Sequence, residues 1–139
     1  MQETIMSLKE YFETHSGIGV LSTADAEGNV DSAVYARPHI MEDDSMALIM
    51  RDRLSHHNLQ SNPRAAYLFI QDGDGYKGKR FFLSKIREEQ DQEKIQSLSR
   101  RFRHSEQGLN PEPRFLVYFK IDRELPLIGP KYDPDRTKS

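Results

Sequence analysis

Two periodicities divide this sequence. Ile5, Leu8 and Phe12 recur at helical spacing, which predicts a helix over 3–15 with one apolar face, stopped by Ser16-Gly17 with Gly17 as its C-terminal cap. From Ile18 the period shortens toward two. Residues 18–23 form a β-prone run, and 24–29 contain Asp25 and Gly28 and read as a hairpin turn. Over 30–37, Val30, Ser32, Val34 and Ala36 alternate with Asp31, Ala33, Tyr35 and Arg37, so the two sets face opposite sides of a strand. Pro38 bends that strand or puts it at an edge. Residues 42–45 are a second turn and 46–50 a third strand.

The punctuation then changes. Ser55 reads as the N-cap of a short helix that Asn62-Pro63 ends, because the residue before a proline avoids the helical region. Strands follow over 65–70 and 79–86, separated by a loop over 71–78 with three glycines. Ile95, Leu98 and Phe102 mark the buried face of a helix over 87–104. Glu88, Glu89, Asp91 and Glu93 lie toward its start, and Arg100, Arg101, Arg103 and His104 at its end, an order that complements the helix dipole. A sixth strand over 114–122 places Phe115, Val117, Phe119 and Ile121 on one face, and a tail with Pro126, Pro130 and Pro134 is expected to be extended. No strand-helix-strand repeat appears, which argues against a doubly wound sheet and for a small antiparallel barrel or sandwich.

The chain's 139 residues suit one domain. It has no cysteine, so disulfides, Cys-ligated zinc and thiol catalysis are excluded, and a cytoplasmic location is expected. The formal net charge of −2 offers no argument for nucleic acid or an anionic membrane as partner. No apolar run is long enough to span a membrane. The acidic residues of MQETIMSLKEYFETH, with no small-residue cleavage site, do not read as a signal peptide.

Several motifs carry little. Gly73, Gly75 and Gly78 match GxGxxG, but the following Lys79–Leu83 run is strand-like, and a dinucleotide loop needs a helix there. Asp72 and Asp74 resemble the start of a calcium loop, yet its twelfth position is Leu83 rather than glutamate. His56-His57 has no partner at metal-ligand spacing. The strongest constellation is Arg51-Asp52-Arg53-Leu54-Ser55-His56-His57-Asn58. Two guanidinium groups, a hydroxyl and helix-start N–H groups converge where a strand ends, which suits an anion; the alternative is an exposed polar loop with a serine cap.

In its order of segments the chain resembles the pyridoxamine 5'-phosphate oxidase-like family of FMN-binding split barrels, from about Met6 to Gly129. The resemblance rests on the opening helix with Gly19-Val20-Leu21-Ser22-Thr23, the strand over 30–37, and the run from Arg53 through Asn58-Leu59-Gln60-Ser61-Asn62-Pro63 to Phe69. The closing Phe119-Lys120-Ile121-Asp122 strand and Pro126-Leu127 also match. It implies a mainly β, antiparallel six-stranded split β-barrel with flanking α-helices (α+β). That barrel would be a single FMN-binding domain over 1–139, with an N-terminal helix in 1–16 and a tail over 123–139. It also implies a homodimer holding FMN between two barrels. Arg37, Met50 and Arg51 would flank the flavin. Arg53, Ser55 and His56 would surround its phosphate. Lys79 or Arg80 would approach from the fifth strand, including from the partner subunit.

Ser55 stands where many members place a phosphate-binding lysine, and the C-terminal Arg-x-His segment of the true oxidases is missing. Pyridoxamine phosphate oxidation is therefore not expected. The implied function is a flavin-dependent oxidoreductase acting on a small molecule or electron donor, with the flavin carrying the redox chemistry. The alternative is a non-catalytic module for a flavin, deazaflavin or haem. Phe69, Phe82, Tyr118 and Tyr35 are offset from the core-facing set, and several of them are expected in a symmetric two-fold interface.

Overall fold

The computed structural model describes residues 6–99 and 112–129. Helix α1 (Leu8–Thr14) opens on a capping box, in which the Ser7 hydroxyl accepts from the Glu10 N–H and the Glu10 carboxylate accepts from the Ser7 N–H. Its one apolar stripe buries Tyr11 and Phe12. The helix ends at an extended His15 and not at a glycine cap; Gly17 already belongs to the first strand.

Among the described residues seven strands follow: β1 (Gly17–Ala24), β2 (Val30–Tyr35), β3 (His39–Ile40), β4 (Met46–Arg51), β5 (Arg64–Gln71), β6 (Gly78–Glu89) and β7 (Arg114–Pro126). Helix α2 (Leu54–Ser61) joins β4 to β5, and α3 (Gln92–Ser99) lies between β6 and β7. The strands form one sheet in the order β2-β1-β5-β6-β7-β4-β3, antiparallel throughout. The β5–β6 hairpin turns through Gly73 and Gly75 at φ of 115° and 80°, so the glycine-rich loop serves a turn rather than a phosphate.

The inner face of the curled sheet carries Leu21, Met46, Leu48, Met50, Tyr67, Phe69, Phe81, Leu83, Val117 and Phe119, closed by Tyr11 and Phe12 of α1 and Leu59 of α2. A smaller cluster on the other side packs Ile95 of α3 against Ala47, Leu116 and Tyr118.

Four expectations about elements are corrected. The predicted six strands are seven, because the two residues of β3 pair with β4 just after Pro38. Residues 87–89, expected to be helical, continue β6: Arg87, Glu88 and Glu89 pair with Tyr118, Val117 and Leu116 across a bulge. The last strand runs to Pro126, four residues into what the sequence suggested was tail. Ser55 is inside α2, whose N-cap is Arg53 in extended conformation with no side-chain cap bond. The basic residues expected to end the long helix lie outside the described residues, as does Phe102.

Phe69 and Tyr118, expected at an interface between subunits, are instead buried within the chain, one in each cluster. Phe69 faces the main core, and Tyr118, on the outer side of β7, is covered by α3. The sequence pattern alone does not reveal that, because this sheet is apolar on both faces.

Candidate functional site

The site is built where β4 hands the chain to α2. Helix geometry leaves the first N–H groups of α2 without carbonyl partners inside the helix, and the Arg53 side chain at the N-cap position does not cap them. Arg53 lies at that opening. Its guanidinium is more than half exposed and pairs with Glu112, just before β7, at 2.9 Å. Arg51 ends β4 opposite Arg114. Ser55 is buried, and its hydroxyl donates to the Asp31 carboxylate of β2 at 3.3 Å.

The side of β2 turned toward α2 carries Asp31, Ala33 and Tyr35, while Val30, Ser32 and Val34 point to solvent. Burial pushes the Tyr35 phenol above its ordinary pKa. A hydrogen bond with Ser55 works against that rise, the Asp31 carboxylate adds to it, and the Arg53 guanidinium opposes it. Asp31, Tyr35, Arg53 and Ser55 thus form one polar cluster at the helix opening. Deeper in, Asn58 donates to the Thr23 hydroxyl at 3.0 Å with both residues buried, which fastens α2 to β1.

His56 faces a different way. Its ring stacks on Phe115 with centroids 3.9 Å apart, and Nε2 lies 3.0 Å from Glu88 of β6. Glu88 also accepts from Lys85 at 2.6 Å and from Gln60 at 3.3 Å. Burial works to raise the Glu88 pKa, but the hydrogen bonds from Lys85, His56 and Gln60 win and hold it below its ordinary value. A carboxylate depressed in this way stabilises the fold above its unfolded pKa, and that stabilisation is lost as pH falls through the folded pKa. The Tm difference between wild type and Glu88→Gln should therefore be full above the ordinary carboxylate pKa and shrink as pH falls below it. A gap independent of pH would mean the carboxylate's charge is not what holds this corner.

The residues expected around a flavin divide into three groups. Arg53 and Ser55 meet at the start of α2; Arg51 ends β4 on the side that carries Ala47 and Ile49 of the smaller cluster, and His56 is engaged by Glu88 and Phe115. Met50 is fully buried in the main core, and Arg37 donates to the carbonyls of Phe12 and His15, tying down the end of α1. Lys79 and Arg80 lie at the far end of the barrel. Lys79 pairs with Phe69, five residues along β5 from Arg64, which is roughly 17 Å at strand rise. Lys79 bonds Glu124 at 2.8 Å and Arg80 donates to the Pro126 carbonyl. Sequence reasoning missed Asp31, Tyr35 and Glu88. Asp31 and Tyr35 had one signal, their shared face on the alternating strand.

No family model matches the sequence, and no curated protein matches it. Solved structures do. The fold matches an FMN-binding protein from Syntrophomonas wolfei subsp. wolfei with a TM-score of 0.72 at 17% identity, over 88% of this chain and 85% of that one. This chain has the pyridoxamine 5'-phosphate oxidase-like split-barrel fold. The same fold aligns with an F420 reductase (TM-score 0.68, 14% identity, 86% of this chain and 98% of that one). It also aligns with the haem storage protein of Vibrio cholerae (TM-score 0.62, 14% identity, 86% of this chain and 92% of that one). Among the described residues, no helix of this split barrel is long and apolar enough to cross a membrane.

Proposed function

We propose that this split barrel binds a flavin, with FMN as the ligand its site supports best, and works as an oxidoreductase on a small molecule or electron donor. The observation that carries the reading is the open start of α2, where the Arg53 guanidinium, the Ser55 hydroxyl and the first N–H groups of the helix meet. That donor set suits the oxygens of a phosphate monoester. The bound flavin would supply the electron transfer; the protein's part is to hold and orient it. Arg53 would turn from Glu112 to the phosphate, Ser55 would donate to it, and Tyr35 would wall the opening. Turnover with a reduced nicotinamide separates this reading from a module that stores or passes on a flavin, deazaflavin or haem.

The test is differential. A charge-assisted contact contributes roughly 1.5–3 kcal/mol, so Arg53→Ala should weaken FMN about tenfold to a hundredfold. Riboflavin, which lacks the phosphate, should bind both proteins alike. Equal weakening of both flavins would assign Arg53 to the fold or the ring, and no change in either would make it surface charge.

We also infer that the working form is a homodimer. The outer face of β2, β1 and β5 presents Val34, Val20 and Leu68 in one cross-strand row, with Ile18 beside Ile70 at one end and Val30 beside Ala24 at the other. Val30, Val34 and Ile18 are 82%, 75% and 55% exposed, which is costly for neighbouring β-branched residues facing water. Phe82 lies further along the same face under Arg123, and a second copy would cover the row. Lys79 and Arg80 lie far from α2 of their own chain and would reach a flavin site only across such an interface. The expected location is cytoplasmic, with no nucleic-acid or membrane partner.

A further inference from the structure

The polar cluster at the start of α2 holds its own anion. The Ser55 hydroxyl, one of the donors a flavin phosphate would need, already donates to Asp31. Asp31 sits on the inward side of β2 with Ala33 and Tyr35, so among the described residues that wall offers a carboxylate and no cation to an incoming ligand. Arg53, the nearest exposed guanidinium at the opening, is paired with a second carboxylate, Glu112. Two acidic groups therefore occupy the Ser55 hydroxyl and the Arg53 guanidinium, the two side-chain donors proposed for the phosphate.

We infer that Asp31 is a specificity-determining residue of this site: it competes with the ligand's phosphate for Ser55 and lowers the affinity for FMN relative to uncharged flavins. The inference rests on the flavin reading above. A phosphate reaching Ser55 must displace the Asp31 carboxylate or accept it as a close neighbour of like charge, and either costs binding energy that a neutral ribityl end does not lose. The consequence is a flavin that exchanges readily with solution.

Titration of the full chain with FMN and with riboflavin, followed by flavin fluorescence, tests this. Asp31→Asn keeps the size of the side chain and removes its charge. It should tighten FMN by about tenfold or more and leave riboflavin within about twofold, since only the phosphate meets the carboxylate. Asp31→Ser, which suits an edge strand, should show the same selective gain and guards against a folding defect of the amide. FMN binding to wild type that neither variant tightens would overturn the inference while leaving the flavin reading standing. A parallel shift in both flavins would also overturn it, giving Asp31 a purely structural role. Failure of wild type and variants alike to bind either flavin would remove the flavin reading itself, and this inference with it.

Discussion

Gly19→Ala should cost the protein about 3 kcal/mol or more, the upper end of what overpacking a core exacts. Gly19 is buried in β1, between Tyr35 of β2 and Phe69 of β5. A Cβ there would fall on the Tyr67 hydroxyl, 2.5 Å from the ring carbon that bears it and 2.8 Å from the Tyr35 carbonyl oxygen. None of these atoms can retreat cheaply. Tyr67 is fully buried and its hydroxyl donates to the Ala36 carbonyl at 3.0 Å, which holds the end of β2 against the core. Burial also raises the Tyr67 phenol far above its ordinary pKa, so it stays a neutral donor. Thermal and urea melts should show Tm falling by roughly 10 °C. Adding Tyr67→Phe should recover only part of the loss, because the ring carbon and the Tyr35 carbonyl remain. A loss below about 1 kcal/mol would mean that β1 and its neighbours part easily here, and that Gly19 is not required by close approach.

Val34→Glu should turn the proposed dimer into a monomer with its fold intact. Val34 is three-quarters exposed and paired with Val20 at the centre of the apolar row, so two symmetric copies would each bury a carboxylate against the other's valines. An unpaired charge at the core of an obligate interface costs several kcal/mol per copy, enough to move dissociation by several orders of magnitude. Sedimentation at micromolar concentration should report a dimer for wild type and a monomer for the variant, with matching circular dichroism. If Lys79 or Arg80 crosses to the partner's site, flavin affinity should fall with the dimer. A wild type that sediments as a monomer would remove both the interface and a cleft made from two chains.

Asp31→Asn and Val34→Glu act on opposite faces of one strand, and that strand shows how far the sequence could be read. The alternation over 30–37 correctly separated Val30, Ser32 and Val34 from Asp31, Ala33 and Tyr35, because side chains on a strand must alternate. Which set faced the protein was not legible. The apolar valines point outward, and an aspartate and a tyrosine point in toward α2. A preference for apolar positions inside fails on a sheet that leaves an apolar face uncovered.

The same limit explains residues 87–89. Glu88 and Glu89 read as the acidic first turn of a helix. They became strand because the backbone of β7 offers them a ladder and because Lys85, His56 and Gln60 gather around Glu88. Those partners are close only after folding. In β7, by contrast, Phe115, Val117, Phe119 and Ile121 were legible as one face, and all four pack on the main core.

What the sequence determined by itself is local. Turns with glycines at Gly73 and Gly75, the helix stop before Pro63, the strand faces and the concentration of basic and hydroxyl groups over 51–55 follow from conformational preference and short-range chemistry. They were sufficient to reach a small antiparallel barrel and, through the order of segments, the split-barrel fold. What only the tertiary structure decided depends on contacts between distant residues. Arg53 met Glu112, Ser55 met Asp31, His56 met Glu88, and Lys79 was carried to the end of the barrel away from α2. Each pairing joins residues at least 24 apart in the chain, as Ser55 and Asp31 are. No local preference links such positions. The curl of the sheet brings them together, and charge and hydrogen bonding then select the partners.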